Sequence, residues 1–143
     1  MGEALQTSRG TRGGVETVYV VPRAEGAEDP FVAWVEEGAV AVVAALQDVV
    51  PRDAGGSPVR AAVVVELAEH DDWRRAAAAE GLGEAVRGIV HSLTRELGPA
   101  ARLNTVLARD QDGDEVGQTL DYLASPLAEF AAGSTFDLRG TAR

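Results

Sequence analysis

Apolar residues along the chain follow two kinds of spacing, one typical of buried strands and one typical of helices. Runs rich in β-branched residues predict strands at 15–21, 59–67, 103–108 and 134–138. Apolar residues three and four positions apart predict helices at 30–50, 81–97 and 114–123, with a further helical turn or two in 124–133. Strands and helices that alternate in this way predict parallel pairing, with right-handed crossovers and helices on both faces of the sheet.

The clearest predicted element is the helix that ends at Leu97, which can begin as early as Trp73. Its apolar stripe consists of Leu82, Val86, Ile89, Val90, Leu93 and Leu97, the spacing of one helical face. Gly98 and Pro99 follow directly, as expected just beyond a helix end. The earlier helix is instead apolar almost all round between residues 39 and 47. This predicts a helix covered on both sides, with another subunit as the second cover.

The first fourteen residues are polar and contain several glycines. We expect them to form a flexible tail ahead of a single domain at 15–143. If the tail is flexible, the strand at 15–21 is an uncovered sheet edge, and such an edge favours association with another chain.

The chain is acidic, with 23 acidic and 13 basic residues and a formal charge of −10. Such a chain repels phosphate backbones and anionic lipid surfaces, so we expect neither a nucleic-acid nor a membrane partner. The sequence has no hydrophobic leader, and no apolar run approaches the roughly 20 residues of a membrane span, so a cytoplasmic protein is expected. Cysteine and lysine are both absent, which excludes thiolate chemistry.

No cluster of residues predicts a metal site. The loop at 110–115 alternates carboxylates as a calcium loop does, but it lacks the distal bidentate glutamate. A solvated acidic loop is the preferred interpretation, and weak cation binding is the alternative. His70 and His91 are the only histidines, and neither has a carboxylate at a spacing typical of metal sites.

Three polar side chains lie where predicted strands end. Arg23, Glu66 and Arg109 lie at the carboxyl ends of the first, second and third strand, and open α/β sheets bind ligands at this edge. Arginine is suited to a carboxylate or a phosphate, which predicts a site for a small acidic metabolite. The alternative is a set of surface ion pairs around Glu66.

Four segments of the second half match, in order and in spacing, a pattern known from one enzyme family. They are SLTRELGP at 92–99, RLNTV at 102–106, YLASP at 122–126 and AGSTFDLRG at 132–140. Over about 81–140, the chain resembles the carboxyl-terminal half of the short-chain dehydrogenase/reductase family. The resemblance implies a truncated Rossmann-like three-layer α/β/α sandwich with about four parallel strands. It also implies that the family's amino-terminal, dinucleotide-binding half is missing.

The resemblance implies that the family's chemistry is missing as well. The family's Tyr-x-x-x-Lys pair falls at Ala79 and Gly83, and the chain contains no lysine. No serine lies between Ser57 and Ser92, where the catalytic serine is expected, and no glycine-rich phosphate loop follows a strand. We therefore expect no catalytic residue and no cofactor.

The expected role is that of an inactive relative that acts as a structural or regulatory subunit beside a full-length homologue. A stand-alone homodimer and a binding protein for a small acidic metabolite are the alternatives. The resemblance implies that the two long helices pack against a neighbouring subunit. The expected interface residues are Val40, Val43, Ala44, Gln47, Gly88, His91 and Arg95.

Overall fold

The structure, a computed structural model, describes residues 4–23, 29–50 and 58–140. Its strands are β1 (Leu5–Arg12), β2 (Val15–Pro22), β3 (Val59–Glu66), β4 (Ala101–Ala108) and β5 (Thr135–Asp137). Its helices are α1 (Glu37–Val49), α2 (Trp73–Leu97) and α3 (Asp114–Ala124), and short helical turns occupy Phe31–Glu36, Gly98–Ala100 and Pro126–Ala128. Every predicted strand and helix is confirmed, with ends that shift by a few residues.

The five strands form one sheet in the order β1-β2-β3-β4-β5. β1 is antiparallel to β2, and the remaining neighbours are parallel. The predicted α/β class with a mainly parallel sheet is therefore confirmed. The sheet has five strands rather than the four that the sequence predicts, because a strand forms ahead of residue 15.

The prediction of a flexible tail over residues 1–14 is wrong for the residues that form β1. This strand pairs with β2 along its whole length, from Leu5 beside Pro22 to Arg12 beside Val15. Gly13 and Gly14 join the strands with φ angles of 60° and 90°, the combination that a two-residue type I′ turn requires. β1 has no alternating apolar pattern because it does not bury one face. Its backbone hydrogen bonds to β2 hold it in the sheet. The edge of β2 that was predicted to be open is therefore covered.

Helices cover both faces of the sheet, as predicted. Val18, Val63 and Leu103 face α1 and α2, and they form one core cluster with them. Neighbouring residues such as Val64 and Val106 point to the opposite face and pack against α3. The two clusters follow from the alternation of side chains along each strand.

The three parallel crossovers do not share one hand. Each moves one strand further across the sheet in the same direction, but α1 and α2 lie on one face and α3 on the other. The β4–α3–β5 crossover therefore has the opposite hand to the first two, and the prediction of uniformly right-handed crossovers is wrong.

The predicted helix at 30–50 begins as a π-helical turn at Phe31–Glu36 and continues as α1. Trp34 in this turn is fully buried, and its indole Nε1 donates to the backbone oxygen of Arg23 at 3.1 Å. This bond satisfies the polar atom of a buried tryptophan. The sequence also predicts a polar, acidic loop at 23–29 and a turn cluster at 51–58. Most of the loop, and all of the turn cluster except Pro58, lie outside the described residues.

Candidate functional site

A cleft of about 850 Å³ lies at the carboxyl edge of the sheet, where β3, β4 and β5 end. Its walls come from the segments after these strands and from the beginning of α3. The lining includes Glu69, Arg109, Asp110, Asp114, Glu115 and Arg139. This is the edge at which open α/β sheets bind ligands, so the cleft is the candidate functional site.

Arg139 makes three side-chain hydrogen bonds to carboxylates beside this cleft. Its Nε and Nη2 donate to the two carboxylate oxygens of Asp137 at 2.9 and 2.8 Å, and its Nη1 donates to Glu80. The hydrogen bonds that Arg139 donates to Asp137 lower the pKa of Asp137 and raise the pKa of Arg139. Because Glu80 belongs to α2 and Asp137 to β5, the guanidinium joins the two elements.

Sequence reasoning did not single out Arg139 as a site residue. Its partners are Asp137, two residues earlier, and Glu80, which is 59 residues away. The only local signal is an aspartate and an arginine two positions apart at the end of a strand, which many surface segments share.

Arg109 is the one predicted ligand-binding residue that lies in the cleft. Its Nη1 donates to the backbone oxygen of Leu67 at 2.9 Å, and its Nη2 lies 3.9 Å from the Glu69 carboxylate. The same side chain borders a second, smaller cleft of about 300 Å³, which also contains Ala79 and His70. The imidazole of His70 packs on Trp34, with 5.2 Å between the ring centroids.

Arg23 and Glu66 lie at the same sheet edge but do not meet Arg109. The Glu66 carboxylate accepts the backbone N–H of Gln111 at 2.9 Å, and the Arg23 guanidinium donates to the side chain of Gln6 on β1. The three residues therefore do not form one anion-binding group. The alternative prediction, a set of ion pairs around Glu66, is also wrong within the described ranges, since the ion pair of Arg109 is with Glu69.

The charge balance of the cleft disfavours an acidic ligand. Four carboxylates line it against two arginines, and both arginines already have partners on the protein. An incoming anion would have to displace these partners and approach the remaining carboxylates. Among the described residues, no group of three or more histidines and carboxylates is arranged to hold a metal ion.

Ala79 and Gly83 are both buried on the side of α2 that faces the sheet. Ala79 is only 4% exposed. A β-carbon added at Gly83 would lie 3.0 Å from Cδ1 of Leu67 and 3.7 Å from Leu107. Neither position carries a group that can give or take a proton, and Gly83 has no room for a longer side chain unless Leu67 moves.

The predicted interface residues lie mainly on the surface. Val40 is 71% exposed on the outside of α1, Ala44 and Gln47 are exposed beside it, and Val43 is half-buried. This outer face of α1 is the side for which the sequence predicts a second cover by another subunit. On α2, the exposed positions are Gly88, His91 and Arg95.

No family model matches the chain, and no curated protein matches it. Among solved structures, the chain is similar to "4-hydroxyisoleucine dehydrogenase complexed with NADH", with a TM-score of 0.55 and 18% identity. The match covers 84% of this chain and 62% of that protein, so the chain spans less than two thirds of its length. A likeness at this identity establishes the fold, which is Rossmann-like.

None of the helices in the described ranges combines the length and the apolar character that a membrane crossing requires.

Proposed function

We propose that this chain is a catalytically inactive relative of the short-chain dehydrogenase/reductase family. In this proposal it acts as a structural or regulatory subunit and assembles with a complete, active homologue through the outer faces of α1 and α2. The sequence segments at 92–99, 102–106, 122–126 and 132–140 support the relationship, and the Rossmann-like fold agrees with it.

The surroundings of the family's catalytic positions support inactivity. The buried Ala79 occupies the position of the family's tyrosine. Gly83, packed against Leu67, occupies the position of its lysine. A nicotinamide cofactor would find neither a proton donor nor a lysine at these places, so the residues present do not fit the group. The four carboxylates of the cleft add repulsion toward its phosphates.

The main observation in support of the proposed assembly is the exposed apolar surface around the start of α1. Phe31, Val32 and Val40 are 41%, 46% and 71% exposed, although each is a large apolar side chain. Large apolar side chains that stay exposed on one element are a feature of interaction surfaces. Glu36 and Glu37 lie beside it, and α1 contains no basic residue. The partner surface should therefore be apolar with a basic rim.

The experiment is co-expression with a complete reductase homologue encoded near this chain, followed by size-exclusion chromatography with light scattering. Wild-type chain should co-elute with the reductase. Val40→Glu places a charge in the apolar surface and should weaken the complex by at least roughly tenfold, which is about 1.4 kcal/mol. The matched control is Gln118→Glu, an exposed position of α3 on the opposite face, which should leave co-elution unchanged.

Three results would contradict the proposal. The proposed assembly is contradicted if the wild-type chain does not co-elute with the reductase. It is also contradicted if Val40→Glu leaves co-elution unchanged. Turnover of a nicotinamide-dependent substrate by the pure chain would contradict the proposed inactivity.

A further inference from the structure

The outer edge of β1 is unusually open for an edge strand. No described segment pairs with it, and the side chains of residues 6–12 are exposed. Proteins normally protect such edges with lysine, proline, a bulge or an inward-pointing charge. β1 has the sequence LQTSRGTR, and its register with β2 is uninterrupted, so it has neither lysine, nor proline, nor a bulge. Its edge is ready to pair with another strand.

The charges of β1 are already neutralised within the chain. Arg9 lies 3.9 Å from the carboxylate of Asp48 on α1, and Arg12 donates to Asp121 on α3 at 2.8 Å. These partners draw the two guanidinium groups onto opposite faces of the sheet and away from the edge. An acidic peptide would therefore gain little from them, whereas a strand without carboxylates can approach without repulsion.

The backbone fixes which groups point outward. The N–H of Arg23 donates to the oxygen of Ala4 at 2.7 Å, continuing the β1–β2 ladder. Because the direction alternates along a strand, even-numbered residues of β1 face β2. The N–H and C=O groups of Leu5, Thr7, Arg9 and Thr11 then point away from the sheet. These four residues are arranged symmetrically about Ser8.

We propose that β1 pairs with β1 of a second copy of this chain, antiparallel, about a two-fold axis at Ser8. The outward N–H and C=O groups of all four residues then form hydrogen bonds with the partner strand. Arg9 lies opposite Thr7 of the partner subunit, and Leu5 lies opposite Thr11 of the partner subunit. Each such pair exchanges two backbone hydrogen bonds. The two sheets become one continuous sheet across the axis.

Other two-fold registers are less favourable. An axis at Arg9 places that residue opposite Arg9 of the partner subunit, and like charges directly opposite each other are destabilising. An axis at Thr7 leaves Thr11 beyond the end of the partner strand. The axis at Ser8 satisfies the outward groups and places each arginine opposite an uncharged residue. This proposal concerns the edge of β1, a different surface from the outer face of α1.

The first test is the mass of the purified chain in solution. The wild type should elute with twice the monomer mass of 14.9 kDa. Thr7→Pro removes an outward N–H without breaking the bond to β2, and proline is tolerated at such edge positions. It should raise the dissociation constant on the order of a hundredfold, since one hydrogen bond is lost on each side of the axis. Thr7→Val, which keeps the N–H, is the matched control and should remain dimeric.

The second test reports the register and does not depend on the proline variant folding. Ser8 would lie opposite Ser8 of the partner subunit in a non-hydrogen-bonded pair, where α-carbons are close enough for a disulfide. The chain has no cysteine, so Ser8→Cys should form a cross-linked dimer under mild oxidation. Gln6→Cys, displaced from the axis, should not.

A monomeric wild type, a dimer that Thr7→Pro leaves intact, or equal cross-linking at positions 6 and 8 would overturn the proposal. A dimer that is lost in Val40→Glu but kept in Thr7→Pro would assign self-association to α1 instead. A wild-type chain that forms the β1 dimer but does not co-elute with the reductase would overturn only the proposed function.

Discussion

The two edges of the sheet are held in different ways. β1 has eight residues, exposed side chains and a continuous backbone ladder to β2. β5 has three residues and pairs with β4 at only three positions. Side chains from elsewhere complete its attachment. A long strand can be held by its backbone alone, but a strand this short depends on individual side chains.

Asn104 is the most important of these side chains. It is buried in β4 at 3% exposure. Its Nδ2 donates to the backbone oxygen of Ala131 at 3.1 Å, and its Oδ1 accepts the N–H of Ser134 at 3.0 Å. The amide thus acts as a substitute for ladder bonds just before β5 begins. Substitutions at the β5 edge should therefore lower the free energy of unfolding strongly, whereas substitutions along β1 should change it little.

The largest effect should come from Asn104→Ala. It leaves the oxygen of Ala131 and the N–H of Ser134 without their partner, and each such loss costs about 1–3 kcal/mol. We expect the free energy of unfolding to fall by about 3 kcal/mol, measured by urea denaturation. The control is Ser8→Ala on β1, which should stay within about 0.5 kcal/mol of wild type. An equal effect of both substitutions would remove the distinction between the edges.

A smaller effect should come from the turn that holds β1 in place. Gly13 has a φ of 60°, and a β-carbon there would lie 2.9 Å from Cβ of Ala124. Gly13→Ala should therefore destabilise the protein by about 1–2 kcal/mol through the left-handed conformation, with the contact adding to this cost.

The control for that prediction is the next glycine. Gly14 also has a positive φ, but a β-carbon there has no neighbour within 4 Å. Gly14→Ala, which imposes a similar positive-φ cost without that contact, should cost less than Gly13→Ala in the same urea titration. Equal costs would mean that the contact with Ala124 is without consequence and that β1 depends on the conformation of the turn alone.

The difference between the edges also explains which parts of the fold could be predicted. The buried strands are rich in valine, and 15–21, 59–67 and 103–108 are recognisable from that pattern alone. β1 buries no comparable face, so its polar residues resemble a tail. The two glycines at 13 and 14 are a hairpin signal, but only when the residues before them are already taken as a strand.

The candidate site was predictable to the extent that it follows from strand ends. Arg109 was found because it directly follows a buried strand. Glu66 was placed correctly at the edge, but its carboxylate is used by the backbone of Gln111, and sequence spacing gives no sign of such a bond. Arg139 was missed because its partner Glu80 is brought close only by the packing of α2 beside β5.

The smallest effect, and the one that best separates charge from packing at β5, concerns Arg139. Its hydrogen bonds lower the pKa of Asp137 in the folded chain. A carboxyl group with a lowered folded pKa adds stability that is fully present above its unfolded pKa, about 3.9, and is lost as the pH falls through the folded value. Arg139→Met keeps an apolar stem but removes the charge.

We expect Arg139→Met to lower the free energy of unfolding by about 1 kcal/mol or less at pH 7, because Asp137 is half exposed and solvent weakens the pair. The difference from wild type should shrink in urea titrations between pH 5 and pH 3. Arg12→Met, at the pair with Asp121, is the control at the other edge and should have the smaller effect, since the ladder holds β1 without it. A deficit in Arg139→Met that stays constant with pH would mean that the packing of the arginine, and not its charge, holds β5 to α2.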